Sequence, residues 1–117
     1  MNKLIVKDII NSPLAVSTEK GEMVFQAIDD YLQKDEKVVI DFKGIDLMIT
    51  AFLNAAIGKL YGNKNYTSEF LNQHIDLENV ASEDRSLFKD VIERAKEYFE
   101  NKESFDKNAN EAIYGED

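Results

Sequence analysis

The stretch Lys37 to Tyr61, KVVIDFKGIDLMITAFLNAAIGKLY, constrains the fold more than any other part of the chain. Val38, Val39 and Ile40 form a β-branched run ahead of Asp41 and Phe42. It is short enough for a strand buried on both faces and too short for a helix of its own. Gly44 breaks the chain. From Thr50 onward Phe52, Leu53, Ala56, Ile57 and Leu60 recur at helical spacing, and Ala55 and Ala56 would let that helix lie close on a sheet. Thr50 has the hydroxyl of an N-cap. A buried strand ending in an acid, followed by an apolar helix, makes the junction between them the expected working surface.

The flanking sequence supplies the rest of an α/β domain. Leu4, Ile5, Val6, Ile9 and Ile10 predict an opening strand or a pair of short strands before the turn residues Asn11, Ser12 and Pro13, with Leu14, Ala15 and Val16 extending or following it. Ser17 and Thr18 are cap candidates for a helix carrying the stripe Val24, Ala27, Ile28, Tyr31 and Leu32. Gly62 to Asn65 end the Thr50 helix, with Asn63 suited to a left-handed closing residue. Glu69 to Gln73 predict a short helical turn, and His74 to Glu78 alternate as a half-exposed strand. Ser82, Glu83 and Asp84 then place a cap and two acids before a helix whose face is Leu87, Phe88, Val91, Ile92, Ala95, Tyr98 and Phe99. Strand, helix, strand, helix in this order argues for a sheet covered by helices with right-handed crossovers. The Thr50 and Ser82 helices are expected to pack against the Val38 strand. After Asn101 periodicity fades into a polar, acidic segment. The expected organisation is one domain over 1–100 and a loosely ordered tail over 101–117, in which Phe105, Ile113 and Tyr114 are the residues that could dock.

Acids outnumber bases 23 to 14, a net charge of −9, which disfavours a nucleic-acid partner in the absence of a basic patch. From Asp76 onward there are 13 acids against 6 bases, so the negative charge is concentrated late in the chain. No cysteine is present and no apolar run approaches the roughly 20 residues of a membrane span, so a cytoplasmic protein is the expectation. Catalytic constellations are scarce. His74 is the only histidine, no Walker-type or Gly-x-Gly-x-x-Gly loop occurs, and a zinc set is lacking, so neither an enzyme nor a cofactor is expected. Asp41 and Asp46 could share a cation only if they converge. Otherwise Asp41 would accept from loop amides and Asp46 would be solvated.

The segment also resembles the STAS family of sulphate-transporter and anti-sigma-factor-antagonist domains, whose pattern is an apolar strand, Asp, a short link, then Asp-Ser-Ser-Gly-Leu opening a helix. Position by position, Asp41 matches the strand-end acid, Ile49 the loop Asp, Thr50 the first Ser, Ala51 the phosphorylated Ser, Phe52 the Gly and Leu53 the Leu. It is closer still to a small bacterial STAS-like group of unknown function. That group shares a DF-x-G-I segment, here Asp41, Phe42, Gly44 and Ile45, a helix start like Thr50 to Asn54, and a helix end like Gly58, Leu60 and Tyr61. The resemblance spans roughly residues 3 to 100 and implies a STAS-like α/β fold with a small mixed sheet of about four strands. It also implies a protein-binding role with a histidine-kinase-like ATPase as partner, the phosphoswitch being absent or altered because Ala51 has no hydroxyl.

On this reading the chain is a non-catalytic bacterial regulatory module whose partner face comprises Asp46, Met48, Thr50, Ala51, Phe52 and Asn54. Leu47 and Ile49 are expected to pack in the core while Met48 and Phe52 are offered as anchors. Thr50 would cap its helix or accept a phosphoryl group, which would bring about −1.5 to −2 charges to a helix start. Two alternatives stand beside it. One is a small-ligand or phosphate-binding module using the amides at the Thr50 helix start. The other is an acidic assembly or decoy protein that binds a basic partner.

Overall fold

The computed structural model describes residues 2–62 and 65–108. The run Val38–Asp41 is strand β3, buried along its whole length, and it is the middle strand of a parallel sheet of order β1-β3-β5, with β1 at Asn2–Ile5 and β5 at Ile75–Glu78. Being central and covered, it tolerates four apolar or paired residues in succession, as its composition requires. A separate ribbon pairs β2 (Leu14–Ala15) with β4 (Leu47–Met48), also in parallel. The expected mixed sheet of about four strands is therefore five short strands in two sheets, parallel throughout the described residues. Each pairing joins strands separated by a helical connection, which is what parallel pairing demands.

Val6, Ile9 and Ile10 do not continue the first strand. Val6–Ile10 is a short helix, α1, closed by Asn11 in the left-handed conformation (φ 55°) with its N–H donating to the Lys7 carbonyl. Val6 and Ile10, one turn apart, both enter the core. Helix α2 (Thr18–Leu32) starts as expected, since the Ser17 hydroxyl accepts from the Lys20 N–H at 3.2 Å, and buries Gly21, Val24, Ile28 and Leu32.

The second predicted helix is a rod in three parts: α3 (Thr50–Leu53), a π turn (Asn54–Gly58) and α4 (Lys59–Tyr61). An α-helix buries one stripe, whereas here Ala55, Ala56, Ile57 and Gly58 are all buried in succession. The wider turn serves two neighbours at once. Gly21 of α2 packs against Phe52 and Ala55 on one side, and Gly58 faces Val91 on the other. Thr50 is not the N-cap. Ile49 holds that position in extended conformation with no side-chain cap bond, because Thr50 is already helical.

Helix α5 (Ser68–His74) contains the predicted turn at Glu69 to Gln73, and the Thr67 hydroxyl accepts from the Phe70 N–H at 3.0 Å. His74 ends α5 and does not belong to β5. Its ring stacks on Phe70 at 3.9 Å, with Nδ1 2.8 Å from the Phe70 carbonyl and Nε2 2.8 Å from Asp35 Oδ1, so it joins α5 to the turn that leads into β3. Ser82 does not cap the last helix. Ser82–Asp84 is a 3-10 turn after Ala81, and α6 runs from Arg85 to Asn108, past the point where sequence periodicity fades. Leu87, Phe88, Val91, Ile92 and Ala95 of α6 meet the core, and Phe88 packs edge-on against Phe42 at 5.1 Å. Tyr98, Phe99 and Phe105 are described as helix backbone only, while Asn63, Ile113 and Tyr114 lie outside the described residues.

Candidate functional site

The site is built where β3 ends. Asp41 is 5% exposed, and its Oδ1 accepts from the Lys43 N–H at 2.9 Å and from Asn79 Nδ2 at 2.7 Å, while Oδ2 lies 3.3 Å from Lys3 Nζ. Lys3 is also 3.3 Å from Glu78. One carboxylate thus ties β1, β3 and the residue that follows β5. The Asn79 amide, then the Lys43 N–H, and to a lesser degree Lys3, hold its pKa below the usual carboxylate value in spite of burial. Asp41 bonding a loop amide matches the expectation for it. Asp46 is exposed, and no group of three or more His, Cys, Asp or Glu residues among those described could hold a metal.

A depressed folded pKa means that the stabilisation is fully present above the unfolded value of 3.8 and is lost as pH falls through the lower folded value. Asp41→Asn should therefore lower unfolding stability at pH 7 by about 1–2 kcal/mol. In urea melts the gap between variant and wild type should narrow as pH is taken below 3.8 and through the lower folded value, where the wild-type carboxylate becomes protonated. A gap that does not change with pH would remove the charge from this account.

Beyond Asp41 the chain turns, with the Ile45 N–H donating to the Phe42 carbonyl and Gly44 at φ 86°. Only glycine adopts that conformation freely. The Asp46 N–H then bonds the Pro13 carbonyl and the Ile49 N–H the Ala15 carbonyl, fixing the register Leu14↔Leu47 and Ala15↔Met48. Successive strand residues point to opposite faces, so the register decides exposure. Ala15 and Met48 point inward, with Met48 only 6% exposed. Leu14 (44%), Leu47 (53%) and, just past the end of each strand, Val16 (36%) and Ile49 (38%) face solvent.

This reverses the expected anchors. Met48 and Phe52 are core residues, Phe52 being completely buried because the helix starting at Thr50 turns it inward with Leu53, and Leu47 and Ile49 are the exposed pair. Asp46, Ala51 and Asn54 are exposed and Thr50 is half-buried, and of these Asp46 directly precedes β4 and Thr50 and Ala51 directly follow Ile49. Sequence reasoning read Leu14 and Val16 as part of an early strand but missed that they would be exposed beside Leu47 and Ile49, and it missed Asn79 and Lys3 as partners of Asp41. No local signal reports which strand the Leu47–Met48 pair will lie against.

Residues 20–85, more than half of the chain, match the STAS-like domain of unknown function (DUF4325), and the chain belongs to that family. The matched span runs from α2 through β3, the turn, β4, the rod and β5 to the start of α6, and so includes Asp41 and the β4 side of the ribbon. No curated protein and no solved structure matches the chain. Among the described residues no helix is long and apolar enough to cross a membrane.

Proposed function

We propose that this chain is a non-catalytic protein-binding module of a regulatory system, and that its partner docks on the β2–β4 ribbon. The observation that supports this is the gathering of four exposed aliphatic side chains, Leu14, Val16, Leu47 and Ile49, on one face of a two-stranded ribbon. Scattered exposed apolar residues need no explanation, but a contiguous group bordered by polar residues marks an interaction surface. The resemblance to STAS domains makes a histidine-kinase-like ATPase the first partner to test. Ala51 stands where those domains carry their switch serine and has no hydroxyl, so binding here would not be released by phosphorylation at that position. Thr50, half-buried at the helix start, is the neighbouring residue on which a phosphoryl group would change the face.

Replacing Asp46 with p-benzoylphenylalanine places a photocrosslinker at the border of the ribbon. Irradiation in the source cells, followed by mass spectrometry, should identify a specific partner. Leu47→Asp with Ile49→Asp should abolish that crosslink while changing stability by no more than about 1 kcal/mol, since both side chains are exposed and neither belongs to the buried core. A double variant that still crosslinks to the same protein would place the interface elsewhere.

A further inference from the structure

Beside the ribbon, on the inward side of β4, lies a recess of about 240 Å³ between the Phe42–Ile45 turn and the loop that leads from β5 into α6. Its walls include Phe42, Ile45, Met48, Asn79, Val80 and Asp84. At ~30 Å³ per water the volume exceeds a single solvent site several-fold and is of side-chain size. The recess sits at the carboxyl ends of the parallel strands β3 and β5, where α/β sheets commonly receive ligands.

Asp84 is the one ionisable group on these walls, and among the described residues it pairs with no base. Its setting disfavours the charged form: burial first, then repulsion from Glu83, raise its pKa above the ordinary carboxylate value. Arg85 follows directly but lines the neighbouring hollow with Leu77 and Phe88, since consecutive helical side chains do not face each other. Acids before a helix are ordinarily explained by its dipole. That explanation covers Glu83 and Asp84 alike, and does not account for a recess of side-chain size, walled by both polar and apolar groups, in which Asp84 is unpaired.

We infer that this recess receives a basic side chain, an arginine in the best-fitting case, from the protein that docks on the ribbon. The aliphatic stem would lie along Ile45 and Val80, both partly exposed, and the guanidinium would meet Asp84, the division of labour that long basic side chains suit. A cationic head supplies the opposite charge that Asp84 lacks and relieves its repulsion from Glu83. The net charge of −9 would draw such a partner in and disfavour a second copy of the chain as occupant. This inference rests on the protein-binding reading of the ribbon, because β4 supplies Leu47 to one face and Met48 to the other.

The test uses the full chain and a small probe. In ¹H–¹⁵N spectra, n-butylguanidinium at constant ionic strength should produce saturable shifts at Gly44, Ile45, Met48 and Asn79 to Arg85. The neutral isostere n-butylurea should bind more weakly by about five-fold or more, and Asp84→Asn should lose the guanidinium preference to a similar degree. Asp84→Ser serves as a second variant should the first fail to fold. No saturable shift at these residues, or equal binding by Asp84→Asn and Asp84→Ser, overturns the inference. If the crosslinked partner is lost with the ribbon variants yet unaffected by Asp84→Asn, the basic side chain is wrong and the ribbon stands. If the probe binds as described while the ribbon variants keep their partner, the ribbon reading fails.

Discussion

Ile40→Asp should abolish the cooperative unfolding transition. Ile40 is fully buried in the middle strand, with Leu4 of β1 and Leu77 of β5 in register on either side. Removing a buried isoleucine costs about 2–5 kcal/mol through lost apolar contact and the cavity left behind. Leaving a carboxylate there without a partner adds about 3–5 kcal/mol, or forces its protonation at a comparable cost. The sum consumes most or all of the roughly 5–15 kcal/mol that holds an average domain folded. The paired control is Leu47→Asp, the same charge on a residue 53% exposed, which should melt close to wild type. Circular dichroism on the two variants checks both, and a soluble Ile40→Asp protein with a sharp melt would displace β3 from the sheet centre.

A second large effect is expected from the smallest possible addition of volume. Gly21→Ala replaces the poorer helix former with the better one, which by propensity alone would stabilise α2 by about 1 kcal/mol. The tertiary contact reverses the sign. A Cβ at Gly21 would overlap the Phe52 carbonyl oxygen and lie 2.8 Å from Ala55 Cβ and 3.3 Å from the Ala56 backbone nitrogen. Two of these three atoms are backbone, so no rotamer change relieves the overlap and α2 must move off the rod. Overpacking of this kind costs about 1–3 kcal/mol and more where the backbone must shift, which outweighs the propensity gain. The melting temperature should fall by roughly 10 °C, since 1 kcal/mol corresponds to about 4–8 °C in a domain of this size. A melting temperature at or above wild type would mean that α2 and the rod are not in contact at this point.

Both effects come from residues whose surroundings the sequence describes unequally well. Ile40 was legible because three β-branched residues in a row need shelter on both faces, a requirement set by side-chain chemistry before any partner is known. Gly21 was not, since a glycine inside a helical stripe reads as a weak point until the carbonyl of Phe52 is seen against it. The caps divide in the same way. Ser17 sits just before its helix and bonds the Lys20 amide, a contact three residues away that local geometry fixes. Thr50 and Ser82 carry the same kind of hydroxyl but start one residue inside their helical segments, so neither caps.

By itself, then, the sequence determined the central strand, the stripes of α2, the rod and α6, the lack of the common catalytic and phosphate-binding motifs, and the segment by which the chain resembles its family. These depend on periods and residue types within a dozen neighbours. Only the tertiary structure decided which face of Leu47, Met48 and Ile49 meets water. Alternation guarantees that Leu47 and Ile49 share one side and Met48 takes the other, but a two-residue strand has no pattern long enough to say which side is inside. That choice was made by pairing with Leu14–Ala15, about thirty residues earlier, whose small Ala15 lets Met48 into the core. The same is true of Asp84, an ordinary acid before a helix in the sequence, which lines a recess because β3, β4 and the loop after β5 end at one place.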